Sequence, residues 1–182
     1  MKKITFVALL LISLNAIGQS KYLTKTGSLD FEASVPSFEE VAAKNSSVTA
    51  IINTDNGEFA ALALVKAFRF KNALMEEHFN ENYVESDTYP KAIFKGKVGN
   101  FSFDSLSEKD SYSHIDGSLT FHGVTKDLKG IPLTVKMLDD KIILSGNFKV
   151  MVSDFEIEIP KIVANKLSDE VSVDFNFELV KK

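Results

Sequence analysis

Apolar and polar residues trade places one by one along most of this chain, and that period of two is the strongest constraint on its fold. Val171, Val173, Phe175, Phe177 and Leu179 alternate with Ser172, Asp174, Asn176 and Glu178. The same rhythm runs through Ile142, Leu144, Gly146, Phe148, Val150 and Val152, and again through Ile115, Gly117, Leu119 and Phe121. It returns in Ala92, Phe94, Gly96 and Val98 and in Leu29, Phe31 and Ala33. Successive side chains of a strand point to opposite faces, so each segment has one dry and one wet face. That is the mark of antiparallel sheet, because parallel strands between helices are apolar on both faces. With Val48 to Ile52, Glu58 to Phe70 and Ile131 to Met137 added, the pattern predicts an all-β fold of about eight or nine strands. So many amphipathic strands pair as two sheets or close into a barrel.

Two segments break the rhythm. Ser37-Phe38-Glu39-Glu40 has the spacing of a capping box and predicts a short helix over Phe38 to Lys44. Ala73 to Asn82 sets Leu74 and His78 four apart, with Met75 and Phe79 beside them, and predicts a second short helix. Pro90 ends this irregular stretch and opens the next strand. Turns are expected at Asp55-Asn56-Gly57, Gly99-Asn100 and Asp139-Asp140.

The first eighteen residues read as an address. Lys2 and Lys3 precede an apolar run from Ile4 to Leu14, and Ala16-Ile17-Gly18 offers the small residues a signal peptidase reads. The expectation is a signal peptide over 1–18, cleaved before Gln19, and one domain over 19–182 that works in the periplasm or is secreted. The apolar run is short for a bilayer span, and no second run of about 20 apolar residues follows. A lipoprotein anchor would need a cysteine after the run, and the chain has none.

Composition narrows the chemistry. Zero cysteines exclude a thiol nucleophile, Cys-ligated zinc and iron–sulfur clusters. A net charge of −4 provides no attraction for a phosphate backbone, so nucleic acid is not the expected partner. The three histidines are His78, His114 and His122. The latter two lie on one predicted strand eight residues apart, about 27 Å, too far to share a metal. Nucleophile-elbow, zinc-protease and phosphate-loop motifs are missing, so the reading is not an enzyme and needs no cofactor.

The apolar faces carry the rest. Phe31, Phe68, Phe70, Phe94, Phe121, Phe148, Phe175 and Phe177 share the dry side with small residues such as Ala33, Ala92, Gly96, Gly117 and Gly146. Bulky rings beside glycine and alanine either enclose a tunnel or interlock into a solid core, and composition does not choose between them. In a tunnel, Phe68, Phe70, Phe94 and Phe121 are the candidate ligand contacts, joined by Leu119, Phe148 and Phe175. Lys66 shares the parity of Leu64 and Phe68 and interrupts an apolar face. It is the candidate polar end of the site, holding an anionic head group. A bulge that turns it to water, or a buried carboxylate partner, are the other ways to accommodate its charge.

Two stretches resemble the YceI-like family. Phe68 to Val98 carries His78-Phe79 in a short helical segment, then Tyr83, Glu85 and Tyr89-Pro90 before a strand, as the family's central signature does. Gly117 to Lys126, GSLTFHGVTK, matches the family's Gly-x-Leu-Thr-Ile-x-Gly-Val-Thr-Lys with Phe121 in place of Ile. Many members have an Arg-Asp pair before the histidine, where this chain has Met75-Glu76-Glu77; the longer ALMEEHFNENYVES form resembles a Bacteroidetes-like subgroup. The resemblance implies a lipocalin-like antiparallel β-barrel with two short helices. It also implies an exported protein that holds a long polyisoprenoid-like or other amphiphilic chain in the barrel. The rival is an envelope stress or interaction protein whose barrel is solid. Within the motifs, His78 is expected to be a buried hydrogen-bonding residue of the helix. Gly123 is expected to supply a positive φ after the Leu119–Phe121 strand.

Overall fold

A computed structural model describes residues 20–182, so the predicted signal peptide lies outside the described residues. The strands are β1 (Lys21–Ser34), β2 (Ala42–Asn53), β3 (Glu58–Leu64), β4 (Arg69–Phe70), β5 (Lys91–Val98), β6 (Ser111–Phe121), β7 (Val124–Leu138), β8 (Lys141–Met151) and β9 (Leu167–Lys181), with helix α1 (Ala73–His78) between β4 and β5. Every pairing is antiparallel, and β1 pairs with both β2 and β9. The sheet therefore closes into an eight-stranded barrel, ordered β1-β2-β3-β5-β6-β7-β8-β9, with β4 as a short addition on β2.

β3 and β4 follow the same edge of β2. An unbroken ladder from the Thr49↔Leu62 pair would match Lys44 with Ala67, but Lys44 pairs with Arg69. The two-residue slip is absorbed by a 3-10 turn over Val65–Ala67. So the expected single strand from Glu58 to Phe70 is broken. Its inward face is Phe59, Ala61, Ala63 and Val65, and Leu64 is exposed. Asn45 fills the break: fully buried, its Nδ2 donates to the Leu64 carbonyl at 3.0 Å, and its Oδ1 accepts from the Ser47 amide and hydroxyl at 2.9 Å. A carbonyl left without a ladder partner is thereby satisfied.

The helix expected over Phe38–Lys44 does not form. Ser37 has φ 76°, outside the extended backbone a cap requires. Ala42 and Ala43 instead pair with Glu32 and Phe31 of β1, so long-range pairing overrides a local cap signal. Among the described residues α1 is the single α-helix, in place of the two expected. Asn72 caps it, accepting from the Leu74 amide at 2.9 Å, and a wider turn over Phe79–Tyr83 extends it. Elsewhere Gly123 has φ 77° and His122 φ 48°, the two positive angles of a tight hairpin turn, so the glycine acts as expected. No helix among the described residues is long and apolar enough to cross a membrane.

Candidate functional site

The interior is divided. At the end formed by the β2–β3, β5–β6 and β7–β8 connections, Ile52, Ile142 and Leu179 are 0% exposed and Leu144 1%. Phe103, from the long β5–β6 connection, packs against Tyr22 with ring centroids 5.6 Å apart and planes tilted by 46°, at this end. Towards the other end the inward side chains surround a cavity of about 520 Å³, within the usual range for small-molecule sites. Its mouth lies among the β1–β2 loop, the α1 segment and the β8–β9 loop, which contribute Phe38, Phe79 and Val163 to the wall.

Aromatic rings leave this space open because they lie against glycine. A Cβ on Gly117 would stand 2.6 Å from Cζ of Phe94, and one on Gly96, its partner across β5 and β6, 2.8 Å from Cε1 of the same ring. The Phe94 ring therefore occupies the place of two missing side chains. Phe175 is seated in the same way over Gly146, whose Cβ would be 2.6 Å from Cζ. The pairing of large with absent side chains, ambiguous in the sequence, here produces a hollow.

Two clusters frame the mouth. Phe31, Phe68, Phe70 and Phe79 form one, with centroids 5.1–6.0 Å apart, and dock α1 against β1 and β4. Val65, Val84, Phe155 and Ile157 are buried together in the other. Phe121 meets Phe155 edge-on at 5.7 Å. His122 Nδ1 donates to the Phe155 carbonyl at 2.9 Å, fixing the tautomer and tying the β6–β7 turn to the β8–β9 loop. The GSLTFHGVTK motif thus serves as a hairpin that anchors a mouth loop.

Of the residues singled out from the sequence, Phe68, Phe70, Phe94, Leu119, Phe121, Phe148 and Phe175 all stand on the cavity wall. Lys66 does not. It sits in the 3-10 turn that breaks β3 from β4, exposed, and its Nζ meets Asp87 Oδ1 at 2.5 Å. Lys66 continues the outward parity of Leu62 and Leu64, and the same turn is what brings Phe68 inward, so Lys66 is corrected from a candidate head-group ligand to a surface ion pair. His78 is likewise exposed at the mouth rather than buried in the helix. Wall residues the sequence reading did not select include Phe59, Phe79, Phe155 and Ile157. Phe79 lies in the turn that extends α1, and the last two come from the β8–β9 connection, where no period marks the inward side.

Charge is confined to the mouth. Glu39, His78, Tyr83 and Lys166 are the titratable wall residues, all on loops, α1 or the turn that extends it. Glu39 accepts from Asn72 Nδ2 at 3.3 Å, and neighbouring Glu40 pairs with Lys71, which together bind the β1–β2 loop to the start of α1. Below this rim the wall is carbon. Such a site can hold an apolar chain by removing it from water.

A family model described as YceI-like domain matches residues 14–179. No curated protein matches the sequence. Among solved structures, the chain is similar to a polyisoprenoid binding domain from Saccharophagus degradans implicated in plant cell wall breakdown, with TM-score 0.78 and 19% identity over 89% of this chain and 98% of that one. It is also similar to Burkholderia cenocepacia BcnA, with TM-score 0.68 and 16% identity over 84% and 96% of the two chains. The YCEI protein of Campylobacter jejuni gives TM-score 0.58 and 18% identity over 100% and 99%.

Proposed function

The chain belongs to the YceI-like family, and from that premise we propose that it is an exported, non-enzymatic carrier that holds a long apolar or amphiphilic chain, of polyisoprenoid type, inside its barrel. The observation that carries this reading is the apolar cavity of about 520 Å³, walled by phenylalanine and open at one end. Binding draws on removal of tail surface from water, worth about 25 cal/mol per Å² of apolar area. The binding named for the Saccharophagus domain supports the same ligand class here. The Bacteroidetes-like subgroup and the periplasmic or secreted location belong to this proposal too.

The test is native mass spectrometry of the protein purified from its own cell envelope. A co-purifying lipid of defined mass, released on denaturation, is the expected result. Protein that is ligand-free and takes up no prenyl alcohol after delipidation overturns the reading. The same spectra check export: the mature chain is expected to begin at Gln19, and an intact Met1 on protein from the envelope overturns that part.

A further inference from the structure

The cavity is blind. Its deepest wall residues are Phe59, Leu133, Leu144 and Phe177, each buried, whereas Ile142 and Leu179, one inward step beyond Leu144 and Phe177, are buried and contribute nothing to the wall. Phe177 is seated over Gly27, where a Cβ would stand 2.4 Å from its Cδ1, and Phe59 flanks it with centroids 5.7 Å apart. These two rings form the floor, and the solid end below them prevents its retreat. All wall charge is at the opposite end, so an amphiphile enters with its tail towards the floor and its head at the mouth.

From Leu167 at the mouth to Phe177 at the floor, β9 runs ten residues, about 33 Å of strand and, at the tilt usual in closed barrels, about 25 Å of depth. An extended chain of single bonds advances about 1.2 Å per bond, as extended polypeptide does. Resting on the carrier reading, we propose that Phe59 and Phe177 set the length of tail this barrel accepts, at about twenty chain atoms. Up to that length each further methylene is buried and tightens binding by about fourfold; past it, added carbons remain in water at the mouth and contribute nothing.

The test uses the delipidated mature protein and saturated 1-monoacylglycerols, with tails from about half to one and a half times that length. Pairs are competed and occupancy is read by native mass spectrometry. Occupancy is expected to climb steeply with tail length and then level off near twenty chain atoms. Phe177→Ala deepens the floor and moves the break to longer tails. Ala61→Leu, one inward step above Phe59 on β3, raises the floor and moves the break to shorter tails; it keeps the test open if the first variant fails to fold. A wild-type series that climbs with no break, or a break that stays put in a folded variant of either kind, overturns the length-setting role and leaves the carrier reading intact. Absence of binding at every length overturns both.

Discussion

Below Phe59 and Phe177 the barrel is filled by branched aliphatic side chains with no exposed surface; above them the same strands carry phenylalanines that are half-buried around open space. β8 crosses the boundary, with Ile142 sealed at one end, Leu144 at the bottom of the cavity and Phe148 on its wall higher up. Both halves obey one alternation of dry and wet faces. What separates them is the partner each inward residue meets. Aliphatic side chains at the closed end meet one another across the lumen, whereas Phe94 and Phe175 fold back onto glycines of their own wall. A barrel built in this way assigns stability to one end and capacity to the other.

The division is most severely tested by Ile142→Ala. The site is sealed and cannot relax into solvent, so a loss of about 2–5 kcal/mol is expected in denaturant unfolding, with the tail-length profile retained in protein that still folds. A loss below about 1 kcal/mol would mean that the closed end is not the stabilising half.

Gly117→Ala comes next. The new Cβ meets the Lys95 carbonyl at 2.4 Å and the Phe94 ring at 2.6 Å, so the ring is driven off its seat and into the lumen. A cost of about 1–3 kcal/mol is expected from overpacking, together with a fall in the amount of lipid bound. Unchanged uptake would show that the glycine seats are not what hold the cavity open.

Phe148→Ala removes a ring that already faces the hollow. The expected cost is below about 2 kcal/mol, less than the range for a fully packed phenylalanine, with weakened uptake of long tails in the same titration. If the ligand-free protein instead loses the full packed-core amount and binding is untouched, the upper half is solid in solution.

The smallest effect is expected for Lys66→Met. The ion pair with Asp87 has more than half of each side chain in water, and such pairs contribute about 0–1 kcal/mol. Stability and affinity for an acidic lipid should match wild type within error; a selective loss of acidic amphiphiles would return Lys66 to the site.

The two halves also differed in how well the sequence displayed them. The inward sets of β1, β5, β6, β8 and β9 were legible because apolar or small residues alternate there with mostly polar ones. β3 was misread: Phe59, Ala61 and Ala63 face inward, but alanines are a weak apolar signal beside Leu62 and Leu64 on the outer face. The slip at Val65–Ala67 has no composition mark either, and Asn45, which satisfies the freed carbonyl, is nineteen residues away from it in sequence. Of the seven selected residues on the cavity wall, Phe94, Leu119, Phe121, Phe148 and Phe175 are there because their strands announce the inward face, whereas Phe68 and Phe70 are brought inward by the turn over Val65–Ala67. Phe155 and Ile157 belong to the β8–β9 connection, whose inward side is decided by tertiary contacts and by no repeat, and Phe79 lies in the turn that extends the short helix. Ser37-Phe38-Glu39-Glu40 failed for the opposite reason, a good local signal outweighed by the ladder between β1 and β2.

The seam of the barrel has a consequence for how the chain acquires its shape. β1 is held on one side by its neighbour β2 and on the other by β9, with Tyr22 opposite Lys181. The first and last strands can meet only after everything between them has been made, and closing so long a loop is slow. Until then both β1 and β8 present a bare edge able to pair with another chain. Folding of this protein is therefore concluded by its final strand, and a chain that stops short of β9 has not lost a peripheral element. It is a sheet with two open sides, and its expected fate is association with its own kind.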